Sequence, residues 1–188
     1  LKALGAAAAS AGGVGLFHVA GVTPEAPELA TALGDRTARE TVVLTPDALR
    51  ATLAGLSTAG ETQRIDAVAI GSPHLSLAEI EEVRERLAGR RLAVPLYANT
   101  GRHVVGPLGT DGRRAALERA GIVFVVDTCV VVTPILPEIE GAVLMTNSGK
   151  FAHYAPGNTG YAVTYGSLAE CVESAVAGRL VREPRAWS

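Results

Sequence analysis

Apolar residues along the chain form short continuous runs that alternate with segments of helical spacing. The clearest run is Ile122–Val126, which is apolar throughout and rich in β-branched residues, as in a strand covered on both faces. The segment after Ser76 instead repeats apolar residues at helical spacing, and Ser76 with Glu79 forms a capping box. This alternation predicts an α/β fold, a mostly parallel sheet of about six strands with helices on both faces.

The same pattern assigns most of the chain to strands and helices. Strands are predicted at Val14–Ala20, Thr41–Leu44, Ile65–Ile70, Leu92–Tyr97, Ile122–Val126 and Ala142–Met145, with a last short one ending at Thr164–Tyr165. Helices are predicted at Leu1–Ala11, over Glu28–Leu33, from Thr45 through Leu56, after Ser76, over Gly112–Ala120 and from Ser167 to about Gly178. Residues 1–188 are interpreted as a single α/β domain, with a tail from Leu180 that packs loosely or pairs with another part.

Composition narrows the class of protein. Hydrophobic residues make up 48% and charged residues 19%, which predicts a folded chain rather than a disordered one. The net charge is −2, and the lysines and arginines are scattered along the chain without forming a basic stripe. Nucleic acid is therefore not an expected partner. The apolar runs are too short to span a bilayer, which predicts no membrane segment. Cys129 and Cys171 do not make a disulfide framework, so a cytoplasmic location is expected.

Two polar segments follow predicted strands near the beginning and the middle of the chain. Ligands bind beyond the carboxyl ends of strands in parallel sheets. Thr23, after the first strand, is either part of a cleft or simply the N-cap of a helix. Ser72 and His74, after the third strand, could donate hydrogen bonds or transfer a proton, or could belong to an ordinary capped turn. Ser72 lacks the Gly-x-Ser-x-Gly pattern of a serine hydrolase.

Two further polar segments follow later strands. Cys129 stands directly after the fifth strand, either as a functional thiol or as a buried core residue. One cysteine cannot hold an iron–sulfur cluster, which takes three or four ligands. After the sixth strand, Thr146–Lys150 places donors in succession and suits a carboxylate or phosphate, although it is not a P-loop. His153 joins this group, and an ordinary polar turn remains the alternative.

Taken together, these segments resemble the aconitase X family. The similarity lies in Phe17–Val19 with Gly21–Pro27, Gly71–His74, Asp127–Cys129, Met145–Gly157 and Gly166–Val172, in that order over nearly the whole chain. The resemblance implies a relative of aconitase that dehydrates a small hydroxy acid with an iron–sulfur cluster, of the 2Fe–2S or 4Fe–4S type. It also implies that the chain is the C-terminal part of a longer large part, which works with a small swivelling part.

The resemblance implies site residues as well. Cys129 would be a cluster ligand, with the remaining cysteines outside this chain. Ser72, His74 and Lys150 would be catalytic, and Thr23, Asn147, Ser148 and His153 would bind substrate. Ser72 is a departure, because some members carry cysteine in its place, which affects the cluster type and the number of ligands in this chain.

Family members act on cis-3-hydroxy-L-proline in bacteria and on mevalonate 5-phosphate in archaea, and this chain is expected to be closer to the hydroxyproline type. Alone, it is expected to have no dehydratase activity. A second hypothesis is a non-catalytic ligand-binding or interaction domain that completes a partner's site. A metal-independent oxidoreductase is disfavoured, because Gly12–Gly15 precedes a predicted strand rather than following one.

Overall fold

The computed structural model of the chain describes residues 1–183. Its centre is a sheet of five strands in the order β3-β2-β1-β4-β5, and every neighbouring pair is parallel. The strands are β1 (Ala67–Leu75), β2 (Leu96–Thr100), β3 (Ile122–Val126), β4 (Val143–Thr146) and β5 (Ala162–Tyr165). The predicted α/β fold with a parallel sheet is confirmed.

Helices cover both faces of this sheet. The helices in residues 1–183 are α1 (Lys2–Gly12), α2 (Leu29–Leu33), α3 (Pro46–Gly55), α4 (Leu77–Leu87), α5 (Arg102–Thr110), α6 (Arg113–Ala120), α7 (Gly149–Thr159) and α8 (Leu168–Ala177), of which α2 and α3 bury no residue. Successive residues of a strand point to opposite faces. Accordingly Val68 packs in a buried cluster with residues of α4, α5, α6 and α8. Ala69 packs in a second cluster with residues of α7.

The predicted strands at Val14–Ala20 and Thr41–Leu44 are wrong, since both segments are irregular. A strand needs a neighbouring strand for its backbone hydrogen bonds. Neither segment has one among residues 1–183, and Val42, Val43 and Leu44 are 73%, 75% and 74% exposed. Continuous apolarity identified segments that favour burial, but it could not supply the residues that bury them.

Three other differences concern the edge of the sheet where the strands end. Strand β2 continues to Thr100, beyond the end at Tyr97 that was predicted for the fourth strand. The third predicted strand does not stop at Ile70, because β1 continues through an irregularity to Leu75. Helix α7 was not predicted, because its polar sequence contains Pro156 and hides the helical spacing.

The residues after α8 are packed as far as the structure describes them. The amide of Leu180 donates to the carbonyl of Gln63, and that of Val181 donates to Oγ of Ser174. The predicted loose tail is therefore ordered through Glu183, and its last residues lie outside the described part. No helix in residues 1–183 is both long and apolar enough to cross a membrane.

Candidate active site

The sheet has a point where the direction of strand succession reverses. From β1 the chain passes outward to β2 and β3, then returns to β4 on the other side of β1. Ligands bind outside the carboxyl ends of the strands at such a switch point. The end of β1 carries Ser72 and the end of β4 leads into Asn147 and Ser148, so three predicted site residues meet here.

Ser148 joins the two strand ends. Its hydroxyl oxygen accepts a hydrogen bond from the amide of Phe151 at 3.2 Å and so caps α7. The same hydroxyl donates to the backbone carbonyl of Ser72. Because Ser148 is buried, this contact fixes the Ser72 segment to the beginning of α7.

Gly71 shapes the backbone just before Ser72. Its φ is +90°, and an added Cβ would lie 2.2 Å from the carbonyl oxygen of Asn99. Only glycine accepts both the conformation and the close approach. The position therefore requires the glycine that the sequence provides.

His74 links the same segment to the end of β3. Its Nε2 lies 3.0 Å from the carbonyl oxygen of Thr128, so Nε2 carries the proton and donates. Asp127, with φ +59°, directly follows β3, and its carboxylate accepts from the amide of Arg102 at 2.9 Å. That amide and then the Arg102 guanidinium hold the pKa of the Asp127 carboxyl below its ordinary value. These contacts fix the backbone on the N-terminal side of Cys129.

A first cavity, of about 260 Å³, opens between α1, the end of β1 and the beginning of α7. Its lining includes Lys2, Ser72, Pro73, Glu79, Asn147, Ser148, Lys150 and Tyr165. Lys2 and Lys150 are the two lysines of the chain, and both line this cavity. Lys2 pairs with Glu79 at 2.6 Å, whereas Lys150 has no hydrogen-bond or ion-pair partner within residues 1–183. A side-chain cation without a counter-ion therefore stands beside the N-terminus of a helix.

A second cavity, of about 280 Å³, lies next to the first. Its lining comprises Ser10, Ser72, Cys129, Val131, Val132, Lys150, Phe151, Tyr154 and Asn158. Ser72 and Lys150 line both cavities. The half-buried Cys129 therefore shares one cavity with Ser72 and Lys150, which the sequence had placed far apart along the chain.

Two predicted substrate-binding residues line neither cavity. The Thr23 hydroxyl accepts from the amide of Val19 at 3.1 Å and donates to its carbonyl at 3.2 Å, so it closes a local turn. His153 is exposed, with its ring edge-to-face with that of Tyr154 at 4.8 Å. Their assignment to substrate binding stays a prediction.

Sequence reasoning did not single out Lys2, Asn99 or Tyr154. Lys2 belongs to an Ala-rich helix, and Tyr154 belongs to α7, which the pattern did not predict as a helix. The buried Asn99 had a usable signal, since it is a polar residue that follows the apolar run of a predicted strand, as in the other strand-end segments.

Comparison with protein families gives this geometry a context. A family model for the aconitase X third domain matches residues 65–177, and one for the aconitase X second domain matches residues 1–67. The chain belongs to the aconitase X family. The predicted resemblance is thereby confirmed, and the two family models meet near the beginning of β1.

Individual relatives in the family carry dehydratase names. The chain is 45% identical to the cis-3-hydroxy-L-proline dehydratase of Pseudomonas aeruginosa, over 100% of this chain and 33% of that protein. It is 36% identical to the protein of the same name from Hypocrea jecorina, over 95% of this chain and 30% of that protein. It is 32% identical to the phosphomevalonate dehydratase large subunit of Methanosarcina mazei, over 95% of this chain and 42% of that subunit. The chain thus spans between 30% and 42% of the length of these relatives.

The fold agrees with a solved member of the family. The holo-form of aconitase X from Thermococcus kodakaraensis superposes with a TM-score of 0.78 at 32% identity, covering 92% of this chain and 43% of that one. The α/β fold of this aconitase X chain is therefore that of its family.

The residues of the second cavity fit one ligand of an iron–sulfur cluster and no more. Cys129 offers a half-buried thiol at the cavity wall. Within residues 1–183, no group of three or more His, Cys, Asp or Glu side chains could hold a metal ion. Cys171 is fully buried on the opposite face, and burial raises the pKa of its thiol. A cluster at this place would require further ligands from elsewhere.

Proposed function

We propose that the chain forms part of the active site of an iron–sulfur hydro-lyase that dehydrates cis-3-hydroxy-L-proline. The observation that carries the proposal is that Ser72 and Lys150 line two adjoining cavities, one of which contains Cys129 and the other the N-terminus of α7. The 45% identity to the hydroxyproline dehydratase of Pseudomonas aeruginosa supports the choice of substrate.

The first cavity would hold the carboxylate of the substrate. Lys150 supplies a positive charge that no described residue neutralises. The first turn of α7 presents the positive end of its dipole, with the amide of Phe151 already bonded to Ser148. The side chain of Asn147 stands beside them on the cavity wall. Together these groups would orient an anion before any bond is broken.

The second cavity would hold the leaving hydroxyl. An iron–sulfur cluster bound there would supply a Lewis acid for that hydroxyl, with Cys129 as one ligand. Ser72, on the boundary between the cavities, would donate a hydrogen bond to the substrate. His74 would keep the Cys129 segment in place through the Thr128 carbonyl. We assign the base that removes the proton from the neighbouring carbon to a part of the enzyme outside this chain.

The partners in this proposal are the remainder of the large part and the small swivelling part of the enzyme. Most exposed large apolar side chains lie within the first 49 residues, namely Leu1, Leu4, Val14, Leu16, Val22, Leu29, Val42, Val43, Leu44 and Leu49. An apolar surface of this kind is characteristic of a covered interface. The two free cysteines support a reducing, cytoplasmic location.

Mevalonate 5-phosphate is the second candidate substrate. Its phosphate would suit a cavity that both lysines of the chain line, and archaeal phosphomevalonate dehydratase large subunits are among the relatives. However, Lys2 already neutralises Glu79, which leaves one uncompensated cation for a dianionic phosphate. The hydroxyproline proposal needs only the one cation that is available.

The test is anaerobic reconstitution, with iron and sulfide, of the complete natural polypeptide that carries this chain. Parent, Cys129→Ala and the control Cys171→Ala are compared by visible absorbance and by turnover of both candidate substrates. We expect the parent to dehydrate cis-3-hydroxy-L-proline, Cys129→Ala to lose absorbance and turnover together, and Cys171→Ala to keep both.

Other outcomes separate the alternatives. Turnover of mevalonate 5-phosphate alone would favour the second candidate. A parent that binds ligand without turning over either substrate would favour a non-catalytic domain that completes a partner's site. A cluster and activity that survive in Cys129→Ala would remove this thiol from the mechanism. Residues 1–188 expressed alone should have no activity, and turnover by them would contradict the need for further parts.

A further inference from the structure

Asn99 occupies an unusual place in the sheet. It lies next to the end of β2 and is fully buried. The neighbouring strand β1 pairs Ile70 with Ala98 and then Leu75 with Thr100. Residues 71 to 74 of β1 are therefore opposed by Asn99 alone, and the extra residues bulge at the strand end. Ser72 and His74 both belong to this bulge.

The side-chain amide of Asn99 binds two backbone segments that lead to residues of the second cavity. Its Nδ2 donates to the carbonyl of Ile70 at 2.6 Å, and its Oδ1 accepts from the amide of Val130 at 3.1 Å. The two partners fix the orientation of the amide, because a carbonyl only accepts and an N–H only donates. Ile70 is two residues before Ser72, and Val130 directly follows Cys129. One buried side chain thus holds the segment of the hydroxyl and the segment of the thiol at a set separation.

We infer that Asn99 is a positioning residue, which sets the geometry of Ser72 and Cys129 across the second cavity; the inference rests on the proposed function. Asn99 lines neither cavity, so it acts through its two backbone partners and not through the substrate. The side-chain amide adds a donor to the Ile70 carbonyl at the point where the regular pairing of β1 with β2 stops.

Two substitutions separate positioning from general stability. Asn99→Asp has the same shape and keeps the acceptor for Val130, but it places a carboxylate oxygen against the Ile70 carbonyl. Asn99→Leu removes both hydrogen bonds. The matched control is Ser174→Ala, because Ser174 is also fully buried and also both accepts from and donates to one backbone segment, that of Val181, in a different part of the fold.

The variants are made in the complete natural polypeptide, and two quantities are measured besides the unfolding temperature. The first is the rate at which iodoacetamide alkylates Cys129 in the iron-free protein, followed by mass spectrometry of the peptide that contains it. The second is kcat and KM for cis-3-hydroxy-L-proline in the reconstituted enzyme. The first needs no cluster and no turnover, so it reports on Asn99 even where the proposed function fails.

We expect Asn99→Asp to alkylate faster than the parent by about tenfold, since losing one buried hydrogen bond shifts a local opening equilibrium by that order. Asn99→Leu, which loses both bonds, should alkylate at least as fast as Asn99→Asp. In the reconstituted enzyme kcat should fall on the order of tenfold to a hundredfold, and KM should change by less than about threefold. Ser174→Ala should lower the unfolding temperature and leave both the alkylation rate and kcat unchanged.

Three results would overturn the inference. The first is alkylation of Asn99→Asp at the parental rate, and the second is a parental kcat in Asn99→Asp when the parent is active. The third is an equal acceleration of alkylation in Ser174→Ala, which would indicate general loosening of the fold. Should Asn99→Leu not fold, Asn99→Asp still decides. An inactive parent in which Asn99→Asp nevertheless alkylates faster would reject the proposed function and keep the positioning role.

Discussion

The hydroxyl of Ser148 donates a hydrogen bond to the backbone carbonyl of Ser72, across the point where β1 and β4 diverge. These residues are 76 positions apart in the sequence. The contact ties the cap of α7 to the residue that lines both cavities. Its consequence is that the N-terminus of α7 and the Ser72 segment are held together.

Replacement of Ser148 should therefore cost more than an ordinary helix cap. Ser148→Ala loses the cap to Phe151 and the bond to Ser72, so we expect the free energy of unfolding to fall by about 2 kcal/mol. Ser167→Ala removes the cap of α8 without such a second bond and should cost about 1 kcal/mol. Urea unfolding of both variants measures the difference. Equal losses would mean that the Ser72 bond contributes nothing.

Gly71 should tolerate no side chain. Gly71→Ala combines a φ of +90° with a Cβ placed 2.2 Å from the carbonyl oxygen of Asn99, a backbone atom of an interior strand that cannot move aside. Gly60→Ala provides the control, because Gly60 has a φ of +64° and nothing within 4 Å of the added carbon. We expect the free energy of unfolding to fall by about 1 kcal/mol in Gly60→Ala and by at least about 3 kcal/mol in Gly71→Ala. Similar unfolding midpoints for the two variants would show that the close approach is relieved.

Local chemistry explains what the sequence could predict of the fold. The caps of α4 and α8 depend on residues three apart, and Ile122–Val126 is recognisable from its own composition. The predicted strand at Thr41–Leu44 failed because a strand depends on a partner that lies elsewhere. Helix α7 was not predicted because Pro156 breaks the local pattern, although the tertiary packing of Phe151 stabilises the helix.

The site was predictable as far as it depends on strand ends. Parallel strands end at one edge of the sheet, and this brings together Ser72, Cys129, Asn147, Ser148 and Lys150. The order of strands and helices along the chain was enough to infer that edge. The two hydrogen bonds of Asn99 could not be inferred, since they depend on the bulge in β1 and on the position of Val130. The pairing of Lys2 with Glu79 depends on how α1 packs, which no short pattern encodes.

The Lys2–Glu79 pair should stabilise the fold at neutral pH and lose this effect as the pH falls. Partial burial raises the pKa of the Glu79 carboxyl, but hydrogen bonds from Lys2 and from the amide and hydroxyl of Ser76 outweigh it, so the pKa lies below its ordinary value. A carboxyl whose folded pKa is lowered stabilises the fold above its unfolded pKa, and this contribution is lost as the pH falls through the folded pKa. The pair is partly exposed, so the effect at neutral pH should stay below about 1 kcal/mol.

Glu79→Gln should accordingly be less stable than the parent at pH 7, with the difference shrinking below about pH 4. Glu85→Gln is the control on the same helix, because Glu85 has no ion-pair partner in the described part of the chain. Urea unfolding midpoints at several pH values between 3 and 7, as rough limits, provide the measurement. A difference between Glu79→Gln and the parent that grows on acidification would contradict the assignment.

Lys150 should contribute to substrate binding through its charge. A charge-assisted hydrogen bond to a carboxylate is worth about 1.5–3 kcal/mol, so Lys150→Met should lower kcat/KM for cis-3-hydroxy-L-proline by about tenfold to a hundredfold. Lys150→Arg keeps the charge but changes its shape, and should recover part of the loss. Arg114→Met is the control, because it removes a cation from α6 that is paired with Glu118 and lines neither cavity.

The distribution of the loss between kcat and KM tells which step uses the charge. If Lys150 holds the carboxylate equally in the bound and the reacting states, KM rises and kcat stays constant. If the charge stabilises only the reacting state, where electron density moves toward the carboxylate, kcat falls instead. Parental values of both constants in Lys150→Met would move the carboxylate to another part of the enzyme, because the first cavity would then hold no described cation free to bind it.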